Sequence, residues 1–393
     1  MNQHSTGIAA LRMNAIQPFH VMAILAEAKR LEGLGHSIIH MEVGEPDFPT
    51  PSPIIAAGIQ ALQQGLTKYT AAQGIMPLRQ AIADFYANKF AVRITPERIL
   101  ITPGASAGLQ LALAALVNAG EQVLLTDPGY PCNRHFVRLF EAEPVSIPVN
   151  ASSRFQLTPA HIQAYWQAQT KAVLVASPAN PTGTVASLAE LNALYQAVQA
   201  KQGVLIVDEI YQGLSYDLNA VSALQVDADN IWIVNSFSKF FGMTGWRLGW
   251  LVVPEYAIEP ATRLAQNMFL SAPTPAQYAA LAAFSPDALN IMEQNRQTLQ
   301  QRRDFLLPAL RDLGFKVEAD PQGAFYIYAD CSAFTDDAFT WCQQVLQATG
   351  VALTPGLDFG DYRANQQIRS AYTAALPQLA EAVERLRQFL LKS

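Results

Sequence analysis

Six short apolar runs recur through the middle of this chain, and they constrain its fold more than any other feature. They are ILIT (99–102), QVLLTD (122–127), AVLVAS (172–177), GVLIVD (203–208), IWIVNS (231–236) and LGWLVV (248–253). Helix-like stretches, such as 107–118 and 187–199, separate the first five. Unbroken runs of Val, Ile and Leu mark strands covered on both faces, and their alternation with helices predicts an α/β fold around a mainly parallel sheet. The last two runs are joined too tightly for a helical crossover, so LGWLVV is expected to run antiparallel.

The two ends read differently. A helix over 17–34 is followed by Gly33 and Gly35, a short strand over 38–43 and the turn-rich GEPDFPTPSP. A long helix is expected over 288–313, bent at Pro308 because proline lacks the backbone donor. FYIYAD (325–330) reads as a strand. The last helix opens at Leu376-Pro377 and carries Leu379, Val383, Leu386 and Leu390 on one face. The expected organisation is a large α/β domain over 46–285 and a smaller α+β domain made from 1–45 together with 286–393.

Composition narrows the function. Of 393 residues, 50% are hydrophobic and 15% charged, with a net charge of −6. That balance argues against a nucleic-acid groove or a basic membrane-surface patch. Cys132, Cys331 and Cys342 lie far apart without paired spacing, which argues against disulfides and structural zinc. No apolar run approaches a membrane span, and the N-terminal stretch MNQHSTGIAALRMNAIQ lacks a secretory pattern. A cytoplasmic protein is expected.

In an open parallel sheet, ligands bind beyond the carboxyl ends of the strands, and the polar residues of this chain gather there. ILIT runs into TPGASAG (102–108), which opens a helix and offers free N–H groups to an anion. AVLVAS is followed by PANPTG (178–183), GVLIV by Asp208-Glu209-Ile210-Tyr211, and IWIVN by Ser236-Phe237-Ser238-Lys239 with Arg247 beyond. An anion cradle, a carboxylate and a lysine at neighbouring strand ends match the needs of pyridoxal phosphate, with its phosphate, ring nitrogen and aldehyde. A lysine in water, with a pKa of ~10.4, is mostly protonated. Desolvation and nearby cations favour the neutral nucleophile, which explains an amine set inside the apolar stretch SFSKFFGMTGWRLGW.

GEPDFPTP, KYTAAQG, SPANPTG, DEIY, SFSKFFGMTGWRLGW and IRSAY, in this order, resemble the class I aminotransferases of pyridoxal-phosphate fold type I, of the aspartate aminotransferase kind. The resemblance covers essentially the whole chain. It implies a seven-stranded, mainly parallel sheet and transfer of an amino group between an L-amino acid and a 2-oxo acid. By the same resemblance, Lys239 forms the Schiff base and shuttles the proton, and Asp208 pairs with the ring nitrogen. Tyr211 and Asn180 hold the ring oxygen and Tyr130 stacks on the ring. Gly104, Ala105, Ser106, Ser236 and Arg247 hold the phosphate. Arg369 clamps the substrate carboxylate, assisted by Asn180 and Gly44, with a fork that lysine lacks. Tyr69 reaches the phosphate of a neighbouring subunit, which implies a homodimer with shared sites.

Each residue also has a plainer use. Lys239 alone reads as a turn lysine, Asp208 as a helix cap, Asn180-Pro181-Thr182-Gly183 as a turn and Arg369 as a surface arginine. Tyr69 and Tyr130 could be packing aromatics, and Asp47 fits a structural turn. The ordered set outweighs these readings. A β-eliminating C–S lyase of the same fold is the alternative function. A transcription regulator built on this fold needs a DNA-binding segment ahead of GEPDF, and an acyl-transferring synthase explains Arg369 and NPTG less well. Aspartate-selective relatives often carry a lysine in the helix-opening turn (GGKQ), whereas this chain has GASAGLQ (104–110). With apolar Ile16, Pro18 and Phe19 in the arm and 271–274 facing the partner, a broad or apolar substrate range is favoured. Aspartate and glutamate stay open.

Overall fold

A computed structural model describes residues 9–392. Residues 1–8, the beginning of the segment assigned to the smaller domain, lie outside the described residues. The first strand, β1 (Ile39–His40), is followed by β2 (Ile99–Thr102), β3 (Gln122–Asp127), β4 (Glu143–Pro148), β5 (Thr170–Ala176), β6 (Val204–Asp208), β7 (Trp232–Ser236) and β8 (Gly249–Val252). After a helical stretch come β9 (Tyr326–Asp330), β10 (Val351–Ala352), β11 (Thr354–Pro355) and β12 (Gln367–Ala371).

Seven strands form the central sheet in the order β2-β8-β7-β6-β5-β3-β4. All neighbours are parallel except β8, which runs antiparallel to both β2 and β7. The unbroken apolar runs are explained by burial on both sides. Ile99, Ile101, Leu124 and Val207 join the core on one face, with Ile82, Tyr86 and Leu191. Leu100, Val123, Leu125 and Ile206 join the other, with Leu109, Leu113 and Ala261. Each such side chain contributes about 1.5–3 kcal/mol when fully buried, so these strands are held by packing on both faces.

The seventh strand, β4, has no apolar run. Its sequence EPVSIP buries only Pro144 and Ile147, and its two prolines are tolerated because it pairs only with β3 at the sheet edge. The strand expected over 38–43 is just two residues long, and β1 pairs in parallel with β10. This brings the two ends of the chain together. A second sheet, β11-β12-β9, is antiparallel and sets Arg369 opposite both Thr354 and Tyr328. The long helix spans Pro286–Asp312 and passes through Pro308; its start is capped by the Ser285 hydroxyl, which accepts from the Ala288 N–H.

Candidate active site

The reversal from β7 to β8 carries Lys239. Its geometry comes from aromatic packing: Phe237 lies 4.9 Å from Trp250 and 5.0 Å from Phe241, which in turn meets Phe284 at 5.6 Å. The Phe237 N–H donates to the Leu248 carbonyl at 3.0 Å and closes the reversal. The phenylalanines of SFSKFF are therefore anchors, and between them the Lys239 side chain reaches a cavity of about 350 Å³. There its amine donates to the Gly44 carbonyl at 2.7 Å. Burial lowers the Lys239 pKa to about 8, against Glu45, which opposes the shift, and with Arg369 and Arg247, which add to it.

Asp208 ends β6 in the same cavity, buried, with one donor to its carboxylate, the Ile210 N–H at 3.1 Å. Burial raises its pKa to about 7. A lone buried carboxylate is costly unless a cation faces it. A protonated ring nitrogen is such a cation.

The helix Ala105–Leu116 points its first turn at the cavity, and Ala105 and Ser106 line it. Gly104 precedes them at φ 78°, and a Cβ there would lie 2.4 Å from Arg247 Nη2. The positive φ favours glycine at this turn, and its missing side chain leaves room for the arginine at the helix start. The Ser236 hydroxyl, also on the wall, donates to Ser238 Oγ at 2.9 Å. Together these supply N–H groups, hydroxyls and a guanidinium where a phosphate needs them. Tyr130 lines the cavity too, its pKa driven up chiefly by burial. The donor set fits pyridoxal phosphate.

Arg369 is buried, lies over the rings of Tyr326 (4.2 Å) and Phe359 (4.8 Å), and donates to Asn180 Oδ1 at 2.9 Å. Its main-chain acceptor is the Glu42 carbonyl at 2.7 Å, while the Gly44 carbonyl is taken by Lys239. Tyr211 shares a hydroxyl–hydroxyl hydrogen bond of 2.8 Å with Tyr326. Tyr326 is one residue that sequence reasoning misses. It sits in FYIYAD, which reads only as a strand, yet its hydroxyl lies so close to Gly44 that a Cβ there would be 2.2 Å away. Tyr69 is 82% exposed and lies off the cavity of its own chain. Asp47 takes both Nη atoms of Arg302, at 2.7 and 2.9 Å, which fits the structural reading of that turn. Among the described residues, no cluster suited to a metal ion occurs, and no helix is long and apolar enough to cross a membrane.

The sequence profile of aminotransferase class I and II matches residues 36–386. The chain is 38% identical over 387 residues to the valine–pyruvate aminotransferase of Mycobacterium tuberculosis, covering 98% of this chain and 99% of that one. It is 36% identical over 383 residues to the (5-formylfuran-3-yl)methyl phosphate transaminase of Methanocaldococcus jannaschii, covering 97% and 99%. The fold matches the crystal structure of an aminotransferase from Mycobacterium tuberculosis with a TM-score of 0.95 and 36% identity, over 99% of this chain and 100% of that one.

Proposed function

The chain belongs to the aminotransferase class I and II family, which moves amino groups between amino acids and 2-oxo acids with pyridoxal phosphate, and from that premise we propose that its cavity serves amino acids with uncharged, apolar side chains. One observation carries the reading. The cations lining the cavity are Lys239, Arg247 and Arg369, and each already has a role at the amine, phosphate or α-carboxylate. The wall left for the side chain is Phe19, Val21, Met22 and Leu25.

When bound, pyridoxal phosphate supplies an aldehyde for the amino group and a ring that draws electrons from the substrate Cα. The protein supplies the rest. Lys239, with its lowered pKa, is the group that takes and returns the Cα proton. Asp208 would hold a negative charge at the ring nitrogen. Arg247, the Ser236 hydroxyl and the N–H groups of Ala105 and Ser106 would hold the phosphate, with Gly104 giving them room. Tyr130 would pack against the ring, and Tyr211 and Asn180 would serve the ring oxygen. Arg369 would receive the α-carboxylate beside Asn180 and Gly44, with the apolar wall facing the side chain.

In this reading residues 46–285 hold the cofactor, and 1–45 with 286–393 form the smaller body that brings Arg369 to it. A homodimer in the cytoplasm completes the picture. In support of pairing, the helix Ser52–Gln63 leaves Ile55, Ile59 and Leu62 exposed along one stripe. Exposed Tyr69 would then serve the phosphate of the other subunit.

A spectral half-reaction screen tests the proposal. Holoprotein is mixed with each amino acid in turn and loss of the bound aldehyde's absorbance is followed. Valine, leucine and methionine are expected to react faster than aspartate and glutamate. The reverse order would overturn the substrate reading, and steady release of ammonia would indicate β-elimination.

A further inference from the structure

The helix His20–Gly33 carries most of the apolar wall, yet it begins without a local cap. Phe19 stands at the cap position, has no side-chain acceptor, and no acidic residue occupies the first turn. The first N–H groups of a helix need partners from elsewhere. Asp358 supplies them from 338 positions along the chain: its two carboxylate oxygens accept from the His20 N–H at 2.6 Å and the Val21 N–H at 2.8 Å.

The other contacts of Asp358 give this cap a functional place. Its own carbonyl accepts from Arg134 Nη2 at 3.0 Å, on the helix that follows Tyr130. The next residue, Phe359, lies 4.8 Å from the Arg369 guanidinium, and its carbonyl accepts from the Gly129 N–H at 2.8 Å. The segment 358–359 is therefore fixed to the turn and helix that follow β3, touches the substrate-carboxylate clamp on one side and holds the start of the apolar wall on the other. Asp358 also lines the cavity and is 3% exposed. An anion at that wall disfavours an acidic side chain, because two like charges in a dry site repel.

We infer that Asp358 is a positioning residue for substrate choice: by capping the helix that bears Val21, Met22 and Leu25, it sets the distance between the Arg369 clamp and the side-chain wall. The inference rests on the apolar-substrate reading above.

The test compares Asp358→Ala and Asp358→Asn holoenzymes with the wild type. It measures kcat and KM for alanine, whose side chain is a single methyl, and for leucine and methionine. In Asp358→Ala, kcat/KM for leucine and methionine is expected to fall about fivefold through KM, the size of one lost helix cap, while alanine changes less than about twofold. Asp358→Asn keeps one acceptor oxygen and should fall between. Bound-cofactor absorbance should be unchanged. Equal losses for alanine and leucine would overturn the inference, as would an unchanged leucine-to-alanine ratio. Should Asp358→Ala not fold, the near-isosteric Asp358→Asn carries the same ratio test. If wild-type enzyme ignores leucine and methionine altogether, the substrate reading itself fails; a normal wild-type preference with an unaltered ratio in the variants removes Asp358 alone.

Discussion

Arg369 Nη1 donates to Asn180 Oδ1 at 2.9 Å, tying β12 of the second sheet to the turn after β5 of the first. Tyr326 and Phe359 flank the guanidinium, and its buried Nε has no hydrogen-bond partner among the described residues. A buried donor without a partner is rare and costly, and a bound carboxylate would satisfy it. Arg369→Lys keeps the charge but loses the planar fork. KM for amino-acid substrates is expected to rise roughly 10- to 100-fold, the range of one or two charge-assisted hydrogen bonds, with cofactor retention unchanged. Primary amines without a carboxylate provide the control; if they suffer equally, Arg369 is not the clamp.

Asp208 gives a pH-dependent prediction in the cofactor-free protein. Burial raises its pKa from 3.8 to about 7, so the folded state holds a proton that the unfolded chain releases. Stability therefore falls as pH rises from about 4 through about 7. Asp208→Asn cannot ionise and escapes this loss. Denaturant unfolding of the two cofactor-free proteins at pH 5 and pH 8 should show the variant gaining on the wild type at the higher pH, by up to about 3 kcal/mol. With cofactor bound the order reverses in activity, and kcat of the variant is expected to drop at least about 10²-fold. A constant stability difference across pH would place Asp208 in a more polar setting than its burial indicates.

Lys239 should show its lowered pKa directly. With a pKa of about 8, its neutral amine rises about tenfold per pH unit up to that point and then levels, whereas an exposed lysine keeps rising toward ~10.4. Reductive labelling of the cofactor-free protein with a small aldehyde and cyanoborohydride, read by peptide mapping, gives the profile. Lys239→Ala should fold, retain cofactor without a covalent bond and lose more than about 10³-fold in kcat. Near-normal turnover in that variant would remove the assignment.

Much of this site is legible in the sequence because a charged residue at the end of an all-apolar run has few structural uses. Asp208 and Lys239 stand out for that reason, and Gly104 because it opens a helix after a strand. What escapes is the part made by long-range contact. Tyr326 meets Arg369 only because the register of β9 and β12 places Ala371 opposite Tyr326 and Arg369 opposite Tyr328. The edge strand β4 hides because EPVSIP carries two prolines and buries only Pro144 and Ile147. The helix expected from residue 17 begins at His20, and its cap cannot be read locally since Asp358 arrives from the far end of the chain. The acceptor that holds Arg369 Nη2, the Glu42 carbonyl, also arrives from the far end of the chain.

That carbonyl belongs to a residue with a second interaction, and it yields a stability prediction. His40 Nδ1 lies 2.7 Å from Glu42 Oε1, and His40 Nε2 lies 3.1 Å from Glu32 Oε1. The hydrogen bond that the His40 ring donates to the buried Glu42 carboxylate, opposed by partial burial and aided by Glu32, raises the His40 pKa to about 9. A histidine whose folded pKa lies above its unfolded value of about 6.5 contributes stability that is fully present below pH 6.5 and lost as pH rises through 9. The ring is 32% exposed, so solvent screening reduces the contribution to on the order of 1 kcal/mol. His40→Gln is therefore expected to be less stable than wild type at pH 6, and the gap should close between pH 7 and pH 10. Because Glu42 also anchors Arg369 through its carbonyl, KM for amino acids should rise in the variant at pH 6 alongside the loss of stability. Unfolding curves at three pH values check the first outcome and steady-state kinetics the second. A gap of equal size at pH 6 and pH 10 would mean that packing, and not the charge of His40, holds this strand in place.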